Sequence, residues 1–250
     1  MAKTKLYALD FDGVICDSAI ETGVTGWKVA GQIWQDMPEQ TPEDIIALFR
    51  QVRPVMETGY EAILIMRLLF EGIPAQTLLN DFTASIETII SQDNLTTTQL
   101  KKQFGETRDH WIVNNLDEWI EMNPLFDGIA NKLNSINAEQ CTIITTKQER
   151  FVSQIFDANN INFPVERIFG LDRQLSKQEV LNDLLAQHPN HEVLFVEDRL
   201  PTLHNVINDV RLESINLYFA DWGYNTVQDK RQASEIPKIS SINLSDFCKL

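Results

Sequence analysis

The sequence is poor in the residues that staple small secreted folds or hold soft metals: three cysteines, Cys16, Cys141 and Cys248, and four histidines stand in 250 residues. They are widely spaced, with no CxxC and no Cys/His zinc pattern, which argues against a disulfide framework and a zinc module and fits a reducing, cytoplasmic setting. Basic residues are scarce as well, 21 Lys and Arg against 36 Asp and Glu, for a formal net charge of −15. That field repels phosphate backbones and anionic lipid surfaces, so neither nucleic acid nor a membrane is an expected partner. A small anion binds only where a metal and local cations override it. Long apolar runs are missing too. The longest in the middle of the chain, Ala62 to Met66, is cut by Arg67, far short of the roughly 20 residues that span a bilayer. The opening "MAKTKLYALD" reads straight into a strand, leaving no room for the apolar region of a signal peptide. There is no internal repeat, no GxGxxG and no Walker-type loop.

What is present is ordinary globular material, 43% hydrophobic and 23% charged, long enough for a sizeable core or for one domain carrying an insertion. The second organisation is expected. After an opening strand, residues 18–123 have the composition of helices, whereas residues 1–17 and 124–250 alternate strand-like and helix-like stretches. In the helical segment Thr41 is expected to cap a helix with Pro42 in its first position, followed by Ile45, Ile46, Leu48, Phe49 and Val52. Tyr60 to Phe70 is apolar nearly all round and reads as a buried central helix, and Ala75, Leu78, Leu79, Phe82, Ile86, Ile89 and Ile90 repeat at helical spacing. Trp27, Trp34, Trp111 and Trp119 are expected to pack that helical core.

From Pro124 the rhythm changes. Phe126, Ile129, Ala130, Leu133 and Ile136 form one helical stripe, "CTIITT" reads as a buried strand, a helix covers Gln148 to Asn159, and short strands follow at "RIFGL", "EVLFVED" and "INLYFAD". Strands separated by helices imply an α/β fold, a Rossmann-like parallel sheet flanked by helices, with an all-helical insertion. In such sheets the ligand crevice lies outside the carboxyl ends of the strands.

Those strand ends are where the polar residues fall. Asp10 and Asp12 close the first strand, Thr145 closes "CTIIT", Glu197 and Asp198 close "EVLFVED", and Lys177 starts a helix between the last two. Acids that cannot neutralise one another, with no thiol or imidazole among them, call for a hard cation, and Mg²⁺ is the expected cofactor. Mg²⁺ recruits a phosphate to complete its shell, so a small phosphorylated metabolite is the expected partner. An Asp carboxylate can attack phosphorus and divide hydrolysis into two easier steps. The acid two residues on points to the same side of an extended chain and can serve as general acid and base. Gly13 permits a tight turn, Thr145 can donate to a phosphoryl oxygen, and Lys177 can neutralise charge. Ser176 and Glu179 also give Lys177 the plainer reading of a capped helix start. In the helical segment, Arg50 and Arg53 of "RQVRPVMETGYEA" are placed to clamp a second anionic group, with solvated arginines the commoner case; Arg53 is carried forward as a candidate substrate contact.

"DFDGVICDS", "IITTK", Lys177 and "LFVEDR" resemble the four ordered motifs of the haloacid dehalogenase superfamily, phosphatase-like branch, with a helical cap inserted after the first motif. "NPLFDGI" is similar to the segment that re-enters the core after the cap, and "ADWGYN" to a late segment of phosphoglycolate phosphatase-type members. The resemblance implies a core of residues 1–17 and 124–250, a cap of 18–123, and a cap that closes over substrate. It implies Asp10 as nucleophile, Asp12 as general acid and base, Thr145 as phosphate ligand and Lys177 as charge stabiliser. Asp10, the backbone carbonyl of Asp12, and Asp198 would hold Mg²⁺ with help from Glu197. Gly13 and Thr146, which stands where phosphoglycolate phosphatases often carry Asn, are candidate substrate contacts. A phosphatase is the leading expectation; a sugar phosphomutase of the same superfamily, or a weakly catalytic protein that binds a phosphometabolite, remains open.

Overall fold

The computed structural model describes residues 4–250, so the first three residues of the opening stretch lie outside the described residues. The chain forms two compact units, Met1–Asp17 with Leu125–Leu250, and Ser18–Pro124.

In the first unit, among the described residues, six strands form one wholly parallel sheet: β1 (Lys5–Leu9), β2 (Cys141–Ile144), β3 (Ile168–Phe169), β4 (Glu192–Glu197), β5 (Asn216–Ala220) and β6 (Ile239–Ile242). Their order is β3-β2-β1-β4-β5-β6. The chain therefore winds outward from β1 to one edge, then returns to β1's other side and winds outward again. The crevice between β1 and β4 is the point where the winding reverses, the place where α/β sheets of this kind take their ligands. The central strands are apolar without alternation because helices cover both faces, and β2 and the last five residues of β4 are fully buried. The outermost strand, β6, buries only Ile239 and exposes Ser240 and Ser241.

The helical unit holds α1 (Ala19–Ile33), α2 (Glu43–Val52), α3 (Glu61–Phe70), α4 (Ala75–Gln92), α5 (Thr97–Asn114) and α6 (Leu116–Glu121). Helix α3 is the buried centre expected from its composition, with Ala62, Ile63, Leu64, Ile65 and Met66 all at zero exposure. It lies so close to α1 that a Cβ added at Gly26 would come within 2.7 Å of the Ala62 backbone. The expected cap of α2 is displaced by one residue: Pro42, extended at φ −65° and ψ 139°, is itself the N-cap, and Thr41 makes no side-chain cap. Proline's fixed φ suits that half-in position as well as the first turn. Helix α4 keeps its apolar face but breaks at Asp81 (φ −127°, ψ 38°). Of the four tryptophans expected to pack this unit, Trp27, Trp111 and Trp119 are buried, while Trp34 is only half-buried and donates its indole N–H to Asp93.

A charge pair lies in that apolar interior. Glu21 on α1 is fully buried and accepts from Arg108 Nε at 2.8 Å and Nη2 at 2.6 Å, from Trp119 Nε1 at 3.1 Å and from Thr25 Oγ1 at 2.6 Å. The bidentate contact with these added donors meets the condition under which a buried ion pair is tolerated.

The sheet of the first unit is covered by α7 (Ile129–Ser135), α8 (Glu149–Ala158), α9 (Lys177–Gln187), α10 (Leu200–Ile207), α11 (Val227–Glu235) and α12 (Leu244–Lys249). Helix α7 is shorter than its stripe implies. Gly128, at φ +82°, caps it in the left-handed region, so Phe126 lies in the preceding turn, and Ile136 is already extended. Among the described residues no helix is long and apolar enough to cross a membrane.

Candidate active site

The register of β1 on β4 pairs Leu9 with Val196, which sets Asp10 beside Glu197 at the carboxyl edge of the sheet. The Asp10 amide still donates to Val196 O at 3.0 Å, so the residue is held by the ladder up to its own Cα. Beyond it the chain turns sharply. Phe11 O accepts from the amides of Ile15 and Cys16, Gly13 N–H donates to Cys16 O, and Gly13 sits at φ +88°, a conformation that only glycine adopts without strain.

Asp10, Glu197 and Asp198, all buried, bring carboxylate oxygens within 4.8 Å of one another. Lys177 reaches the same point from the first residue of α9, 2.9 Å from Asp10 Oδ1 and 2.7 Å from Glu197 Oε2. The helix start behind it is secured by a capping box between Ser176 and Glu179, so both readings of Lys177 hold in one place: the cap orients the helix and the helix aims the ammonium.

Asp198 is fixed from the other side. Its Oδ2 accepts from the Tyr224 amide at 2.5 Å, and a Cβ on either Gly13 or Gly223 would collide with its side chain. The "ADWGYN" segment after β5 braces the first loop as well: Trp222 Nε1 donates to Val14 O at 3.1 Å and the Tyr224 hydroxyl donates to Asp17 Oδ1 at 2.9 Å.

Charges placed this closely alter one another's acidity. Burial, then the neighbouring Glu197 carboxylate, pushes Asp10 up to about 7, although Lys177 opposes the rise. Burial would raise Glu197 too, but the Lys177 ammonium and the Arg199 amide hold it below the usual carboxylate range. The difference follows from the partners. Glu197 Oε1 accepts from the amides of Asp198 and Arg199 at 3.1 and 3.0 Å while Oε2 takes the shorter lysine bond. Lys177 loses by burial but gains more from Asp10 and Glu197, and stays charged well above the usual lysine range.

When all three acids are ionised against one ammonium, the cluster carries two uncompensated negative charges away from water, the excess that raises Asp10. An oxygen-only donor set with that excess fits a divalent cation, which supplies the missing charge. Asp10, Glu197 and Asp198 are the side chains able to hold it.

The remaining expected residues divide. Thr145 follows β2, is buried, and donates its amide to Phe169 O at 2.9 Å. Its neighbour Thr146 is half-buried. Asp12 lies within the turn, where Lys147 Nζ donates to its Oδ1 at 3.0 Å. Lys147 is an addition to the residues expected from the sequence. The signal that would find it is its step of two from Thr145 past a strand end, with a side chain that the structure leaves only 1% exposed. Arg199 caps α10, and its amide contact to Glu197 ties it to the cluster through backbone. Arg53 belongs to the helical unit, where it is buried at the head of a short 3-10 turn rather than solvated on a helix face.

No protein-family model and no curated protein matches the chain. Solved structures do. A predicted phosphatase from Clostridium acetobutylicum matches with a TM-score of 0.59 at 14% identity, over 100% of this chain and 98% of that one. A predicted phosphoglycolate phosphatase from Haemophilus somnus matches with a TM-score of 0.59 at 15% identity, over 100% and 98%. A provisionally assigned haloacid dehalogenase-like hydrolase from Bacteroides fragilis matches with a TM-score of 0.56 at 17% identity, over 97% of each chain. The chain shares the fold of these proteins along its whole length.

Proposed function

We propose that the chain is a Mg²⁺-dependent hydrolase of small phosphomonoesters, acting in the cytoplasm through a phosphoryl group carried on Asp10. The observation that carries this reading is the buried meeting of Asp10, Glu197, Asp198 and Lys177 at the reversal point of a parallel sheet. Among ordinary reactions, phosphoryl transfer is the one whose substrate brings negative charge that needs both a metal and an ammonium. The names of the proteins that share the fold agree with it.

In this reading an Asp10 oxygen attacks phosphorus in line with the ester oxygen. The P–O ester bond breaks with its electron pair passing to the leaving oxygen, and the Asp12 carboxyl gives that oxygen its proton, releasing the alcohol. In the second half, Asp12, now a carboxylate, takes a proton from water as the water oxygen attacks the aspartyl phosphate, and the bond from phosphorus to Asp10 breaks to free phosphate. Thr145 donates its hydroxyl proton to a phosphoryl oxygen, and Lys177 offsets the charge gathered there. Asp10, Asp198 and the Asp12 carbonyl, with Glu197 beside them, would hold Mg²⁺, which would supply charge neutralisation and orient the phosphate.

The test is a panel of phosphorylated metabolites and an aryl phosphate, with Mg²⁺ and with EDTA. Turnover that needs Mg²⁺ and disappears in Asp10→Asn is expected. Turnover at the parent rate in Asp10→Asn, or in EDTA, would refute the reading.

A further inference from the structure

The mechanism above leaves unused a buried cation that touches one of its acids, Lys147 against Asp12. Lys147 is tied down at three points: its amide donates to Thr145 Oγ1 at 3.0 Å, its carbonyl accepts from the Leu171 amide at 3.1 Å, and its ammonium donates to Asp12 Oδ1 at 3.0 Å. Its side chain is 1% exposed and that of Asp12 16%. The site thus contains two lysine–aspartate pairs, Lys177 on Asp10 and Lys147 on Asp12. Only the first pair shares its cation with a further carboxylate, Glu197.

We infer that Lys147 is a positioning residue for proton transfer at Asp12, with an effect that grows with the basicity of the leaving oxygen. The inference rests on the hydrolase reading of the site. When an alkyl ester breaks, the leaving alkoxide is a strong base and must gain a proton as the P–O bond is lost. The Asp12 carboxyl gives up that proton and becomes a carboxylate. The Lys147 ammonium, already in place against Oδ1, stabilises the negative charge as it forms, without any side chain having to move.

The same residue also sets Thr145. By donating its amide to Thr145 Oγ1, Lys147 makes that oxygen an acceptor on the protein side and directs the hydroxyl proton elsewhere, as a donor to phosphate requires. One short segment, Thr145 to Lys147, therefore serves the phosphoryl oxygens with its first residue and the leaving oxygen with its last. An aryl phosphate has no such need. Its phenolate leaves without a proton, so neither Asp12 nor the cation behind it limits the rate.

The experiment compares para-nitrophenyl phosphate with glycerol phosphate in the wild type, Lys147→Met and Lys147→Gln, all with Mg²⁺. Both variants are expected to lose about 10- to 100-fold in kcat on glycerol phosphate, a fraction of what a positioned general acid contributes. They should change less than about threefold on the aryl ester, with KM little altered on either. In an Asp12→Asn background Lys147→Met should cost nothing further on glycerol phosphate. Mg²⁺-dependent stabilisation against urea, unchanged in the variants, shows that the metal site still forms. Equal losses on the two esters would make Lys147 a merely structural residue and overturn the inference, as would no loss on either. A wild type active on the aryl ester alone overturns it while the hydrolase reading stands; a wild type inert on both refutes that reading and this assignment with it.

Discussion

Asp10→Asn should stabilise the metal-free protein, and the size of the gain should depend on pH. Asp10 is 6% exposed and packed against Glu197, and these raise its carboxyl from the usual 3.8 to about 7. Well below 3.8 the carboxyl is neutral in folded and unfolded chains alike and costs nothing. As pH rises from 4 to 7 the unfolded chain gives up its proton while the folded chain keeps it, so the folded state loses ground. Above 7 the penalty is complete. At about 1.4 kcal/mol per pH unit, over about three units, it approaches 4 kcal/mol as a ceiling, which a compact denatured state and local relaxation reduce to about 2 kcal/mol. An amide at residue 10 stands in for the neutral acid and carries no such penalty. Urea unfolding followed by circular dichroism, in EDTA, should give equal midpoints for the wild type and Asp10→Asn near pH 3. Their separation should grow to its full value by pH 8. Mg²⁺ should reverse the order, because at about 100 times its Kd it adds about 2.7 kcal/mol to the wild type and nothing to a variant that does not bind it. A variant less stable than the wild type at pH 8, or a gain that ignores pH, would refute the reasoning.

Other perturbations probe the same chain of causes. Lys177→Gln leaves Asp10 and Glu197 facing each other without their shared cation. It should cost the metal-free protein about 3–5 kcal/mol in urea unfolding, part of which Mg²⁺ restores. Gly13→Ala forces a Cβ onto the Asp198 carboxylate and strains a residue at φ +88°; isothermal titration should show Mg²⁺ affinity falling by at least about tenfold. In the helical unit, Arg108→Ala strands the buried Glu21 carboxylate. It should lower stability by about 3–5 kcal/mol, with Glu21→Gln in the same chain recovering most of the loss.

The sequence made the sheet legible where both faces are covered, because a strand buried on two sides must be written in continuous apolar residues. "CTII" and "EVLFVE" are such strands. It concealed β6, since "ISSI" at the sheet edge exposes two serines and has no run to recognise. The ends of α7 differ from the apolar stripe for another reason. Phe126 and Ile136 continue the apolar stripe in sequence, but a left-handed Gly128 and an extended Ile136 set limits that periodicity does not contain. The cluster of Asp10, Glu197, Asp198 and Lys177 was approachable because each acid ends a strand, or directly follows its end, and parallel strands end on one edge. For Lys147 the only local signal is its step of two from Thr145; that its side chain is buried against an acid 135 residues away is set by tertiary packing. Arg53 shows the converse limit: a basic residue on an apparently amphipathic segment is buried at a helix end.

The account stands on Asp10 being the atom donor to phosphorus. Incubating the protein with a turned-over phosphomonoester and Mg²⁺, quenching in acid and locating the phosphoryl adduct by tandem mass spectrometry tests that directly. The expected result is an acid-stable, hydroxylamine-sensitive adduct on Asp10, absent in Asp10→Asn. Steady hydrolysis with no adduct on Asp10, or with the phosphoryl group on another side chain, would contradict it.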